Sequence, residues 1–152
     1  MVEQETSTPY IQLDYRRDGS IVVTPEDQDR FVMSMQEAVV ACKDASQVLR
    51  YSRQFSQGLL PKLTTWLEDR RASVRKAFLT VRDGGLLLVV VRKESVYDAA
   101  FTDALTDLDV EIARDSSLDL ILLDVLALPD VSDEGARSFL SPSRHREIAS
   151  AD

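Results

Sequence analysis

Residues 78–101 read FLTVRDGGLLLVVVRKESVYDAAF, and this stretch decides the fold. Apolar residues lead into Asp83-Gly84-Gly85, and six aliphatic residues follow without interruption. The pattern predicts a β-hairpin of strands 76–82 and 86–93, because Asp-Gly and Gly-Gly favour the backbone conformations of tight hairpin turns. The unbroken run LLLVVV is typical of a strand that is buried on both faces, in the middle of a sheet.

The paired glycines also suggest a phosphate-binding loop. Such a loop follows a strand and opens a helix, so that backbone amides and the helix dipole meet the anion. Gly84 and Gly85 instead link two predicted strands. A hairpin turn accounts for both glycines, and the nucleotide-binding interpretation fails on context.

A β-α-β crossover is predicted after this hairpin. Ser95-Val96-Tyr97-Asp98 has the form of a capping box, and apolar residues then recur at helical spacing as far as Ile112. Residues 118–126, LDLILLDVL, predict another doubly buried strand. Strand, helix and strand in about 40 residues form a right-handed crossover, so strands 86–93 and 118–126 are expected to be parallel neighbours.

The chain before residue 76 predicts a hairpin and two helices. YIQLDYR and SIVVT flank a turn signal and indicate strands 10–16 and 20–24. Thr24 and Pro25 suit the start of a helix that begins at residue 25 and ends between residues 46 and 56, with Gly58 as its terminator. A second, shorter helical face surrounds Trp66, which we interpret as a core anchor.

The resulting order, β-β-α-α-β-β-α-β-α, predicts an α+β fold. Its mixed sheet is built from two β-hairpins and a C-terminal β-α-β crossover, with helices packed on it. A chain of 152 residues suits one core, so we expect a single domain over residues 10–140. Residues 1–9 are expected to be a loose tail, and the Ser-rich residues 141–152 a disordered one.

Composition excludes several classes of site. No run of 18 apolar residues occurs and the N-terminus has no secretory-signal pattern, which, with a lone cysteine, predicts a cytoplasmic protein. Cys42 falls on an apolar helical stripe, and His145 lies in the predicted tail without a rigid neighbour. One histidine and one cysteine cannot form a usual zinc site, so no metal or cofactor is predicted.

The net charge of −8 is unevenly distributed. Residues 43–93 carry eleven Lys and Arg against four acidic residues, which is +7, and the rest of the chain is −15. The simplest expectation is that the two blocks lie against each other, in one fold or in a dimer. An acidic chain is also a poor general partner for nucleic acid, whose phosphates repel it.

The sequence contains no catalytic motif, metal-ligand set or nucleotide fingerprint, and three hypotheses remain. The third of them is nucleic-acid binding by the basic segment, which is disfavoured because aromatic residues do not alternate with its basic ones. The favoured hypothesis is a non-enzymatic protein–protein interaction module or regulatory subunit, working with a protein partner or as a homodimer. Its basic middle segment would attract an acidic surface. The candidate partner-binding residues are Trp66, Arg70, Arg71, Arg75 and Lys76.

The alternative is a small-anion-binding domain or enzyme with its site at the carboxyl end of strand 86–93. Ligands collect beyond the carboxyl ends of parallel strands in open sheets. Its candidate ligand-binding residues are Arg92, Lys93, Ser95 and Asp124, which are expected to converge there.

Overall fold

One mixed sheet organises the protein, whose computed structural model describes residues 10–38, 45–82 and 85–140. The strands of the described residues are β1 (Tyr10–Leu13), β2 (Val74–Arg82), β3 (Gly85–Arg92) and β4 (Leu123–Leu128). The α-helices are α1 (Pro25–Ala38), α2 (Ala45–Arg53), α3 (Leu60–Asp69), α4 (Ala99–Arg114) and α5 (Asp133–Arg137). The strand order is β1-β2-β3-β4.

The sheet confirms the predicted α+β class. β1 and β2 are antiparallel, β2 and β3 are antiparallel, and β3 and β4 are parallel, joined by the crossover helix α4. β2 and β3 form the predicted hairpin, and the turn residues Asp83 and Gly84 lie outside the described residues. β1 joins the main sheet as an edge strand, a placement that the sequence leaves open.

β3 is buried on both faces, as its aliphatic run predicts, because side chains alternate across a strand. Leu88 and Val90 face the larger core, which α3 and α4 complete with Leu63, Leu67, Phe101 and Leu105. Val89 and Val91 face a smaller core on the opposite side, which includes Ala136 of α5. Helices therefore cover both faces of the sheet.

The N-terminal hairpin is shorter than predicted. A single bridge pairs Tyr15 with Ile21, and residues 22–24 form no strand. The Ile21 N–H donates to the Glu68 carboxylate at 2.7 Å, at the end of α3, instead of extending the ladder. The segment is therefore attached to a helix end rather than continued as a strand.

Gly58 does not end a helix. α2 runs through a π-helical segment, Gln54–Leu59, directly into α3, and the Leu60 N–H donates to the carbonyl of Phe55, five residues earlier. A Cβ at residue 58 would lie 2.5 Å from Leu118 Cδ2, so glycine is needed here for the close approach of Leu118. Cys42 and the predicted continuation of the first helix through residues 39–44 lie outside the described residues.

β4 begins five residues later than predicted, at Leu123, and it is an edge strand. Residues 116–118 form a 3-10 helix instead, and Leu118 and Ile121 enter the core from the connection that precedes the strand. β4 contacts both cores but is less buried than predicted: Val125 packs against the larger core and Leu126 against the smaller one, both only partly buried, and Asp124 is exposed.

α4 also begins later than predicted. Its N-cap is Asp98, whose carboxylate accepts a hydrogen bond from the Phe101 N–H, so the predicted capping box at Ser95 does not form. The last helix begins as predicted, with Ser132 accepting a hydrogen bond from the Gly135 N–H.

Substitution of Phe55 tests the packing of the helices. Phe55 is fully buried, and its ring centroid lies 5.5 Å from that of Phe31. Phe55→Ala is expected to lower the free energy of unfolding by about 3–5 kcal/mol, since it removes buried surface and leaves a cavity. Phe139→Ala is the matched control, because Phe139 is 40% exposed, and it should lower the free energy by about 1 kcal/mol or less. Urea unfolding measures both values, and equal losses would contradict the packing described here.

Candidate functional site

A groove rich in arginine lies at the end of the sheet where β2 begins and β3 ends. Its volume is about 500 Å³. The lining residues, which we call the basic groove, are Tyr15, Arg16, Arg17, Asp18, Gly19, Arg71, Ala72, Val74, Arg75 and Lys93. Five basic residues and one acidic residue thus line this surface of an acidic protein.

A tight turn presents the first two arginines. The Gly19 N–H donates to the Arg16 carbonyl, and the Arg16 N–H donates to the Ser20 carbonyl. Asp18 accepts hydrogen bonds from the N–H and the hydroxyl of Ser20, and these bonds lower the pKa of its carboxyl. The turn therefore holds Arg16 and Arg17 at its exposed tip.

Gly19 fits the turn to the α3–β2 connection. Its φ of 86° lies in the left-handed region that favours glycine. A Cβ at this position would lie 2.6 Å from Arg71 Cδ, because the Arg71 side chain passes directly over the glycine. Arg71 and the arginines of the turn thus belong to one surface.

Hydrogen bonds connect the walls of the groove. The Tyr15 hydroxyl donates to the Leu67 carbonyl at 2.6 Å, and the Lys93 N–H donates to the Ser73 carbonyl at 2.9 Å. Burial, with a smaller effect of the nearby Glu68 carboxylate, raises the pKa of Tyr15 to about 12. Tyr15 therefore stays a neutral donor at physiological pH.

Four cations of the groove form no salt bridge within residues 10–38, 45–82 and 85–140, and the charge of Arg16 acts only weakly on the nearby Asp18 carboxylate. They are Arg16, Arg17, Arg71 and Lys93, all of them exposed. Sequence reasoning identified Arg71 and Lys93 but missed Arg16 and Arg17. The signal in the sequence is a pair of arginines directly before an Asp-Gly turn, which lies outside the basic segment 43–93.

Arg75 and Lys76 are instead committed to their own chain. Arg75 Nη1 and Lys76 Nζ lie 2.8 Å and 3.0 Å from the two carboxylate oxygens of Asp133, and Arg75 Nε lies 3.1 Å from Asp130. Arg75 also donates to the carbonyl of Val131. Their predicted role in partner binding is therefore not favoured, because the acidic connection after β4 already neutralises them.

The same complementarity recurs along the chain. Arg50 pairs with Asp119, and Lys62 pairs with Glu111 and Asp115. These contacts join the basic segment 43–93 to the acidic C-terminal part, as expected for blocks that lie against each other in one fold.

Trp66 and Arg70 are not among the lining residues of the groove, and they pack against each other. The Arg70 guanidinium lies 4.2 Å from the centre of the Trp66 ring, and Trp66 meets Phe101 edge to face at 5.7 Å. Trp66 is only partly exposed, so it joins α3 to α4 as a core anchor, and Arg70 covers it.

The predicted small-anion site does not assemble as expected. Asp124 is paired in register with Leu87, five residues before Arg92, which is roughly 16–17 Å away along the strand. Asp124 lies near the amino end of β4, because this strand starts later than predicted. Lys93 lines the basic groove and Ser95 is exposed on the next loop. The four residues do not converge.

Arg92 is buried rather than facing a ligand in solvent. Its Nη1 donates to the Val96 carbonyl at 2.5 Å, and its guanidinium lies 5.5 Å from the centre of the Phe101 ring. Asp98 is 3.9 Å from Nη2, and Nε has no hydrogen-bond partner within the described chain. Arg92 thus connects the end of β3 to the loop before α4.

A second cavity, of about 420 Å³, lies at the opposite end of the sheet and includes Asp124. Asp109 also lines it, and burial together with the Asp124 charge raises the pKa of the Asp109 carboxyl. In the described parts of the chain, no three His, Cys, Asp or Glu side chains are grouped to hold a metal ion. Nor do those parts contain a helix with the length and apolarity needed to cross a membrane.

The Asp133 network predicts a pH dependence. Hydrogen bonds from Arg75 and Lys76 lower the pKa of Asp133 from 3.8 to about 2. The folded pKa lies below the unfolded one, so the stabilisation is complete above pH 4 and declines as the pH falls toward 2. Asp133→Asn should therefore be less stable than wild type near neutral pH, and the difference should narrow below pH 4.

Urea unfolding at a series of pH values measures this difference. Asp29→Asn is the control, because Asp29 is exposed on α1 and has no ion pair within the described residues. If the difference in unfolding free energy between wild type and Asp133→Asn stayed constant down to pH 3, the proposed stabilisation by the Asp133 carboxylate would be contradicted.

The basic groove and the charge around it are the features from which a function can be inferred. No family model matches the chain, and neither does any curated protein or solved structure.

Proposed function

We propose that the protein is a non-enzymatic interaction module that binds an acidic segment of a partner protein in the basic groove. One observation carries the proposal: Arg16, Arg17, Arg71 and Lys93 form an exposed cationic surface, without salt bridges among the described residues, on a chain of net charge −8. Other basic side chains, such as Arg50, Lys62 and Arg75, pair with acids of the same chain. An acidic partner is therefore expected to bind most favourably at the groove, where its carboxylates can pair with these cations.

Exposure favours a protein segment over a small anion. An ion pair between exposed side chains contributes roughly 0.2–1 kcal/mol, so one small anion at these cations would bind weakly. Small-molecule sites usually have a largely apolar lining, whereas charged side chains make up more than half of the residues that line this groove. Several carboxylates on one segment can engage the cations together and add their contributions.

The aromatic content of the groove disfavours single-stranded nucleic acid. Binding of that kind combines cations with aromatic rings on which bases stack. Tyr15 is the aromatic residue of the groove, and its hydroxyl is already hydrogen-bonded to the Leu67 carbonyl. The acidic remainder of the chain would also repel phosphates.

Neutralising the groove tests the proposal. The variant Arg16→Gln, Arg17→Gln, Arg71→Gln should bind a fluorescent hexaglutamate peptide roughly three- to a hundredfold more weakly than wild type, since three exposed charge contacts are lost. Fluorescence anisotropy at low salt measures the affinity, and raising the salt should reduce the difference between the two proteins. The matched control, Arg53→Gln, Arg114→Gln, Arg137→Gln, removes the same charge from exposed positions outside the groove.

Equal losses in the two triple variants would show that only net charge matters and would overturn the proposal. So would tighter binding of a single-stranded oligouridylate than of the peptide. Sedimentation of the protein alone, over a range of concentrations, identifies the source of the segment. Self-association that the groove variant abolishes would make a second copy the partner.

A further inference from the structure

The loop between β3 and α4 exposes two adjacent large apolar side chains. Val96 is 72% exposed and Tyr97 is 74% exposed, which are the highest values among the large hydrophobic residues that the structure describes. A single exposed apolar residue is ordinary on a protein surface. Two adjacent exposed apolar residues on an ordered loop are less common. Tyrosine is also among the residues that most often dominate binding at interfaces.

Hydrogen bonds fix this loop at both ends. Arg92 donates to the Val96 carbonyl, and the Glu94 carbonyl accepts a hydrogen bond from the Asp130 N–H. Asp98 caps α4 by accepting from the Phe101 N–H. Val96 and Tyr97 are thus presented on a backbone that is already ordered, and this lowers the entropy lost on binding.

Arg92 holds the loop conformation although its own burial is energetically unfavourable. Its residue exposure is only 6%, Asp98 is 3.9 Å from Nη2, and Nε has no hydrogen-bond partner within the described chain. Burying a guanidinium with an unsatisfied donor is unfavourable, and an apolar side chain could cover Phe101 equally well. Unlike an apolar residue, arginine can hold the carbonyl of Val96.

The loop lies at the same end of the domain as the basic groove. Lys93 belongs to both, and Val96 and Tyr97 follow it by three and four residues, so their Cα atoms lie within about 11 and 14 Å of it. The contact of Trp66 with Phe101 also joins the end of α3, beside the groove, to the start of α4, beside the loop. An extended segment of about four residues spans such a distance.

We infer that Val96 and Tyr97 form the apolar anchor of the interface whose charged part is the basic groove. The partner segment then carries a large apolar side chain beside its acidic residues. This inference rests on the proposed function and specifies its ligand. Protein interfaces commonly place a few apolar or aromatic contacts beside a polar, charged rim, which supports this combination.

Two peptides separate the apolar contact from the charge contact: hexaglutamate, and hexaglutamate with a leucine at each end. Wild-type protein is expected to bind the leucine-flanked peptide about tenfold more tightly. Tyr97→Ser should remove this advantage and leave the affinity for plain hexaglutamate unchanged. Met33→Ser is the matched control, because Met33 is 64% exposed on α1, away from the groove, and should change neither affinity.

Each outcome distinguishes the two proposals. If plain hexaglutamate binds through the groove but the leucines add nothing, or Tyr97→Ser keeps their advantage, the apolar anchor is overturned and the basic groove stands. If neither peptide binds, the proposed function fails and the inference fails with it. Val96→Ser provides a second readout on the same loop, and it should also reduce the leucine advantage.

Discussion

The burial of β3 on both faces is the constraint on which the rest of the structure depends. Its aliphatic side chains alternate between two sides of the sheet, so two separate layers must cover them. α3 and α4 pack on one side, and α5 with the segment after it packs on the other. Strands on each side of β3 satisfy its backbone groups, which places the ends of β2 and β3, and the loops beyond them, beside one another.

Charge is distributed according to this architecture. The acidic C-terminal part crosses the basic middle segment and neutralises Arg50, Lys62, Arg75 and Lys76. The turn that carries Arg16 and Arg17 lies at the other side of the α3–β2 connection, and none of the acids that pair with the basic segment reaches it. Local positive charge therefore persists on an acidic protein, and its position depends on which pairs the fold completes.

The end of the sheet combines this charge with rigidity. Tyr15, Ile21 and Lys93 attach the groove walls to the chain around α3, and Arg92 attaches the next loop to the end of β3. Side chains on such a surface are exposed, but the backbone that carries them is held by hydrogen bonds. A backbone that is already ordered favours binding, because no free energy is then spent on ordering it when a partner binds.

The sequence by itself determined the hairpin of β2 and β3, the crossover helix, the parallel pairing of β3 with β4 and the mixed sheet. These follow from local turn chemistry and from side-chain periodicity, which act within a few residues of each other. It also identified Arg71 and Lys93 as candidate binding residues.

Only the tertiary structure decided which cations remain unpaired, because Arg75 and Asp133 meet across 58 residues of chain and no local pattern reports such a contact. It likewise decided the position of Asp124, since the start of an edge strand depends on where Leu118 and Ile121 enter the core. Arg16 and Arg17 line the basic groove because a helix end, through Glu68 and Leu67, holds their turn against Arg71.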